Sequence, residues 1–347
     1  MKGESNDLRE DCKYGNKCYQ KNSVHHARFK HPPKDEEPPA KKSKTIVEED
    51  PVFLSVNRLF PPDFLIFYDW CKTLNSEDPC KALFDTTGAI LSTDFHNLND
   101  EMKWRFYYDP PEFLTLLIQV DKSERCTEEG EHFGYFWDDP KEHPAFVGRV
   151  KNNNSSKITK FGDNLFGAIF NWIKELLIHS DPFKKTKLQK IQESLHAFAT
   201  SKNFHLNLQS DELKLRNKKV VARPFHGAGL VVPYNKKTCL GYREIPESTA
   251  SLKKIFKKAA ESSEDDRMDT IQELITNVQF ANDEGDPGMG LELGLNLFSF
   301  ENGCDHFHPT IKHLLCVAYN LLNRDHFAKV IETHLSRRRK GEAVLTN

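Results

Sequence analysis

Apolar positions recur every three or four residues in some stretches of the chain and run together in others, and the two patterns predict different elements. Pro61 and Pro62 stand where a helix start tolerates proline. Phe64, Ile66, Phe67, Trp70 and Leu74 follow at mixed helical spacing and predict a helix. From about Leu91 to Val147, aromatic and β-branched runs (WRFYYDPPEF, FLTLLIQV, HFGYFW) are broken by proline and glycine, the pattern of strands and turns. Helical spacing returns in Asn164 to Ile178, with Asp163 or Asn164 as the cap, and continues through Lys187 to Phe198. Lys219 to Ala222 and Phe225 to Pro233 read as strands, and from Ser251 the chain is mostly helical. There Ile271, Leu274, Ile275 and Val278 fall on one helix face, and Ile311 to Leu335 supplies a long amphipathic segment. The predicted fold class is α+β, with a mixed α/β domain at 55–205 and a mostly helical domain at 206–347. There is no internal repeat.

The pattern fails ahead of the body. Pro32 to Asp50 is proline-rich, charged and nearly free of large apolar residues, so it cannot offset the entropy of ordering itself. A disordered linker at 34–54 is expected, following a small module at 1–33. Lys41, Lys42 and Lys44 admit two readings, a solvated linker or a nuclear-import address. Net charge changes little: 49 Lys+Arg against 51 Asp+Glu gives −2, no general field for a polyanion. No apolar stretch approaches the roughly 20 residues of a bilayer span, so no membrane partner is expected. MKGESNDLRE carries charge where a secretory signal needs an apolar core, and the eight cysteines read as core residues or metal ligands. Arg337, Arg338, Arg339 and Lys340 read as the electrostatic complement of a helix C-terminus rather than a nucleic-acid contact.

Chemistry concentrates at two places. The first is C-x5-C-x6-H-x5-H, formed by Cys12, Cys18, His25 and His31, a donor set that suits a closed tetrahedral Zn²⁺ site, with His26 as an adjacent alternative ligand. So short a segment has too little apolar surface to fold alone, which makes zinc binding and folding one event. A DNA-reading finger needs about twelve residues between its second cysteine and first histidine, so the spacing here disfavours sequence-specific major-groove binding. Tyr14, Tyr19, Lys17 and Lys21 are instead the mixture that stacks on a base and neutralises phosphate. The series Cys12, Tyr14, Gly15, Cys18, Tyr19, Asn22, His25, His31 and Pro32 resembles a poly(ADP-ribose)-binding zinc finger. That resemblance implies a structural zinc and a polymer site in which Tyr14 and Tyr19 hold an adenine-containing unit. Gln20 stands where that family usually carries arginine.

The second place is the run Asn282, Asp283, Glu284, Gly285, Asp286, Pro287, Gly288 after a predicted helix. The last turn of a helix presents bare carbonyls and partial negative charge, so three carboxylates there break a local rule. Crowded like charge makes a carboxylate a better proton acceptor than a free one, and a solvated acidic turn is the plain alternative. No Gly-rich phosphate loop, G-x-S-x-G elbow or H-E-x-x-H accompanies it, which argues against a stand-alone enzyme and for a shared site.

WRFYYDPPEF (Trp104 to Phe113), KKVVARPFHGAGLVVP (Lys218 to Pro233), GYREIPE (Gly241 to Glu247) and QFANDEGDPGMGLELG (Gln279 to Gly294) are together similar to the histone PARylation factor family. The resemblance covers about residues 50 to 335. It implies an accessory factor that docks on the catalytic domain of a DNA-damage poly(ADP-ribose) polymerase and redirects ADP-ribose to serine on histones and other chromatin proteins. Glu284 matches the family's general base, placed beside NAD⁺ that the polymerase holds as substrate. Asp283 and Arg243 match residues that orient the composite site and support docking. Nucleus and chromatin are the implied location. Two other readings remain open: a non-catalytic poly(ADP-ribose)-reading adaptor that restrains the polymerase, and a weaker one, an ADP-ribose hydrolase using Asp283 and Glu284. Cys304, His306 and His308 lack a fourth metal ligand close in sequence, and His306 or His308 reads as part of the docking surface.

Overall fold

The computed structural model describes residues 10–11, 29–30, 61–92, 102–127, 129–152, 156–300 and 305–338. The chain divides into two units, 1–50 and 51–347. In the first, β1 (Glu10–Asp11) and β2 (Phe29–Lys30) pair in parallel, Glu10 opposite Phe29. The expected zinc ligands and both tyrosines lie outside the described residues, as does the expected linker.

The second unit is α+β. It opens with α1 (Pro62–Leu74), whose proline sits in the first turn, as the sequence predicts. After α2 (Phe84–Thr87), five strands form an antiparallel meander in chain order: β3 (Ala89–Leu91), β4 (Phe113–Gln119), β5 (Glu131–Phe136), β6 (Phe146–Lys151) and β7 (Thr159–Lys160). WRFYYDPPEF, expected among strands and turns, is mostly a buried turn. The Asp109 carboxylate accepts from Phe106 N, and the Arg105 guanidinium donates to the carbonyls of Asp109 and Pro110. The sheet then packs its aromatic face on α3 (Leu165–His179), where Phe133 lies 4.9 Å from Trp172, and α1 packs on α3 with Phe67 5.3 Å from Phe166. Asn164 is the cap of α3, its Oδ1 accepting from Gly167 N. Asp63 reaches across to accept from Leu165 N at 2.8 Å, and its burial pushes the carboxyl up to about 6. Ser180 ends α3, and a separate helix α4 (Pro182–Ser201) begins, capped by Asp181.

The stretch read as two strands, Lys219 to Ala222 and Phe225 to Pro233, is neither. Helix α5 (Asp211–Lys219) runs to Lys219, and beyond it only an isolated bridge pairs Ala222 with Leu230. Side chains distant in sequence take the carbonyls that a ladder would have used. Arg216, clamped to both oxygens of Asp138 at 2.7 Å, also donates to the carbonyls of Ala228 and Gly229, and Arg324 donates to Val231 O. Irregular backbone can be buried only when its polar groups are satisfied in this way. Five helices follow: α6 (Thr249–Glu261), α7 (Glu264–Asp283), α8 (Pro287–Phe298), α9 (His308–Leu321) and α10 (Asp325–Arg337). Ile271, Leu274, Ile275 and Val278 are all buried, and the single segment expected at Ile311 to Leu335 is two helices. One hydrophobic cluster extends from Phe64 to Leu335.

Arg338 stands at the C-cap of α10, as the basic group there leads one to expect, but it does not stay at the surface. Its guanidinium is buried, donating to the carbonyls of Tyr107 and Phe298 and lying about 4 Å from both rings. Two elements far apart in sequence meet around it.

Candidate functional site

Helix α7 brings its last turn to the surface, and the chain reverses there by a turn that satisfies the helix's final carbonyls. Gly285, at φ +88°, donates to Asn282 O and Asp286 N donates to Ala281 O at 2.7 Å, the paired bonds of a Schellman C-cap. A left-handed residue is required at that position, which explains glycine. Pro287 then starts α8 at once. The tip is therefore fixed by backbone on both sides.

A second segment braces it. Asn235 to Leu240 forms a small turn, and Gly241 follows at φ +106°, so close to Pro233 that a Cβ would fall 1.9 Å from its carbonyl oxygen. Gly241 N donates to Asp286 Oδ1 at 2.8 Å, and Gly288 N donates back to Gly241 O at 3.1 Å. Arg243 Nη2 approaches Asp286 Oδ2 at 3.2 Å and also donates to Glu284 Oε2. Next to it, Tyr242 donates its hydroxyl to Glu292 Oε2 at 2.9 Å, with burial pushing both groups up.

The three carboxylates expected to crowd one another are thus separated by role. Asp286 is buried at 3% exposure and serves the turn. The Glu284 side chain is 59% exposed and carries a single guanidinium. Asp283 is exposed, with no partner among the described residues. Glu284, Asp283 and Arg243 do come to one tip, as the sequence reading required. That reading named Asp286 and Gly241 but gave neither a role of its own, although an aspartate ahead of Pro-Gly and a glycine ahead of Tyr-Arg are signals of a constrained turn. It also passed over Phe280 and Leu240, large apolar side chains exposed to 59% and 50% that flank the tip.

Chemically, the tip offers one accessible carboxylate on a rigid mount, with apolar surface beside it. No group of three or more metal-ligating side chains occurs among the described residues. His308 approaches Asp305 at 3.3 Å, and Cys304 lies outside the described residues. In the N-terminal unit, the two thiols and two imidazoles at Cys12, Cys18, His25 and His31 fit zinc by donor chemistry.

Comparison with known proteins agrees with both parts. Residues 9–34 match the PBZ domain, and residues 42–338 match the histone PARylation factor 1 family. The chain is 41% identical over 296 residues to histone PARylation factor 1 of Mus musculus, covering 80% of this chain and 83% of that one. It is 39% identical over 318 residues to the Danio rerio protein of the same name, covering 86% and 88%. A putative histone PARylation factor 1-like protein of Homo sapiens is 39% identical over 298 residues, covering 81% and 83%. With a braced carboxylate tip, a zinc-finger donor set and a match spanning nearly all of the body, this chain belongs to the histone PARylation factor 1 family.

Proposed function

We propose that the chain docks on the catalytic domain of a DNA-damage poly(ADP-ribose) polymerase and lends it Glu284 as a general base for ADP-ribosylation of serine on histones. The polymerase holds NAD⁺, whose glycosidic bond to nicotinamide breaks through an oxocarbenium-like state. An acceptor carboxylate is already anionic, but a serine hydroxyl must lose its proton as its oxygen bonds to the ribose carbon. Glu284 takes that proton, and nicotinamide leaves with the bond's electron pair. Asp283 and Arg243 position the tip against the polymerase, and the zinc finger, through Tyr14 and Tyr19, binds poly(ADP-ribose) and tethers the complex to chromatin already modified.

The observation that carries this reading is Glu284's exposure on a mount that Asp286 and Gly241 hold in place. Phe280 and Leu240 suit a protein surface seated beside it, since exposed apolar side chains next to a charged tip are buried by a partner rather than by a small substrate. The contact of Arg243 with Glu284 favours a second reading, a non-catalytic adaptor in which the carboxylate stays engaged.

The deciding experiment reconstitutes a DNA-activated polymerase, NAD⁺ and a histone peptide with the wild-type chain or Glu284→Ala. Loss of about 10²- to 10⁴-fold in serine labelling, with docking retained, is expected of a lost general base. Undiminished serine labelling establishes the adaptor instead. Zinc content of the full chain, expected at one equivalent and lost in Cys12→Ser, checks the finger.

A further inference from the structure

A basic groove lies against the same tip. Segment 218–242 encloses a cleft of about 570 Å³ whose lining includes Lys218, Lys219, Tyr234, Lys236 and Tyr242. An adjoining opening shares Tyr234 and Lys236 with it and extends to Gly241 and Gly285, so the groove reaches the residue next to Glu284. Its lining holds three ammonium groups and no carboxylate, and none of the three lysines has an ion-pair partner among the described residues. Lys218 and Lys219 complement the C-terminus of α5, which accounts for those two. It does not account for Lys236, which arrives from the separate Asn235–Leu240 turn to face the same space. Like charges gathered without a counter-charge repel one another, and a polyanion relieves them.

The groove also offers an aromatic wall. Tyr234 is half-buried and stands edge-to-face with Tyr242 at 6.3 Å, presenting a ring on which a base can stack. We infer that this groove binds an adenosine diphosphate moiety, with the diphosphate between Lys218, Lys219 and Lys236 and the adenine on Tyr234. Its volume falls in the range of about 300 to 1,000 Å³ typical of small-ligand sites. A lysine-rich histone tail is repelled there, whereas the ADP-ribose installed beside Glu284 lies within reach. The naming of the anion rests on the proposed function, but the existence of the groove does not. Bound there, ADP-ribose would keep a modified product beside the tip, and NAD⁺ presents the same half-molecule.

The test uses the full chain carrying Cys12→Ser, so that the finger contributes no binding. ADP-ribose is titrated by calorimetry, and its footprint is mapped by hydrogen exchange. Protection at 218–222 and 231–242 is expected. Lys218→Glu with Lys236→Glu weakens binding by about tenfold or more, whereas arginine at both positions retains it. Inorganic pyrophosphate binds about tenfold or more weakly than ADP-ribose if a base stacks on the tyrosine. Absent protection, indifference to charge reversal, or pyrophosphate binding as tightly as ADP-ribose each overturns the inference. NAD⁺ is the second arm: preference for ADP-ribose identifies a product site, and preference for NAD⁺ a substrate site. Glu284→Ala is expected to keep the binding, so failure of the proposed base and failure of the groove are read separately.

Discussion

Asp109, in the turn ahead of β4, and Asp286 at the tip are both buried carboxylates with their oxygens engaged. Asp109 faces His132 Nε2 at 2.9 Å, Thr115 Oγ1 at 2.9 Å and Phe106 N at 3.0 Å, while the other imidazole nitrogen lies 2.7 Å from Asn152 Oδ1. Asp286 has Gly241 N and Arg243. The regions differ in what stands over them. Phe106 stacks on His132 at 3.9 Å and closes the first, whereas the second carries Glu284 out into solvent on the same arginine. A carboxylate whose lone pairs are all occupied in a sealed site serves architecture. One mounted outside such a site, with a single exchangeable partner, is available for chemistry.

That contrast can be broken from either side. The largest effect is the loss of serine labelling in Glu284→Ala described above. Next, Asp109→Ala strands the His132 ring and the Thr115 hydroxyl inside the sheet, and a loss of about 3 to 5 kcal/mol in urea unfolding is expected. Asp63→Asn sharpens the sealed side through pH. Because the folded carboxyl titrates at about 6 and an unfolded aspartate near 4, this group favours the fold in acid and loses that contribution as pH rises through about 6. Asparagine still accepts from Leu165 N, so the stability difference should move in the variant's favour by up to about 3 kcal/mol between pH 4 and 7. A difference independent of pH would place the Asp63 side chain in water. Asp286→Ala frees Gly241 N and half of Arg243's contacts, with an expected loss of about 2 kcal/mol together with serine labelling, since the mount of Glu284 loosens. The smallest effect is Glu284→Gln, whose unfolding midpoint should match wild type within about 0.5 kcal/mol, as for most exposed pairs. A larger change would make Glu284 a structural residue like Asp286.

What the sequence made legible was local. Pro62 at a helix start, Asn164 as a cap and the Ile271 to Val278 face are decided by neighbours within a turn or two, and each is found where its spacing put it. Lys219 to Pro233 misled because its β-branched composition suits a strand, while its side-chain hydrogen-bond partners, Arg216, Asn296 and Arg324, come from three other places in the chain. Arg338 is the helix-end cation its position suggested, but its burial could not be read, since Tyr107 is 231 residues away. At the site, Asp283 and Glu284 announced themselves by breaking a helix rule. The division of labour between Glu284 and Asp286 could not be read, because it is imposed by Arg243 and Gly241, 41 and 45 residues distant.

The Arg338 guanidinium has a consequence for biosynthesis. Until position 338 leaves the ribosome, the carbonyls of Tyr107 and Phe298 lack the cation that joins them, and the cleft between their rings stands open to water. The sheet and early helices can assemble during translation, but the body cannot close around this guanidinium until residue 338 has been made, which puts that closure late among its folding events.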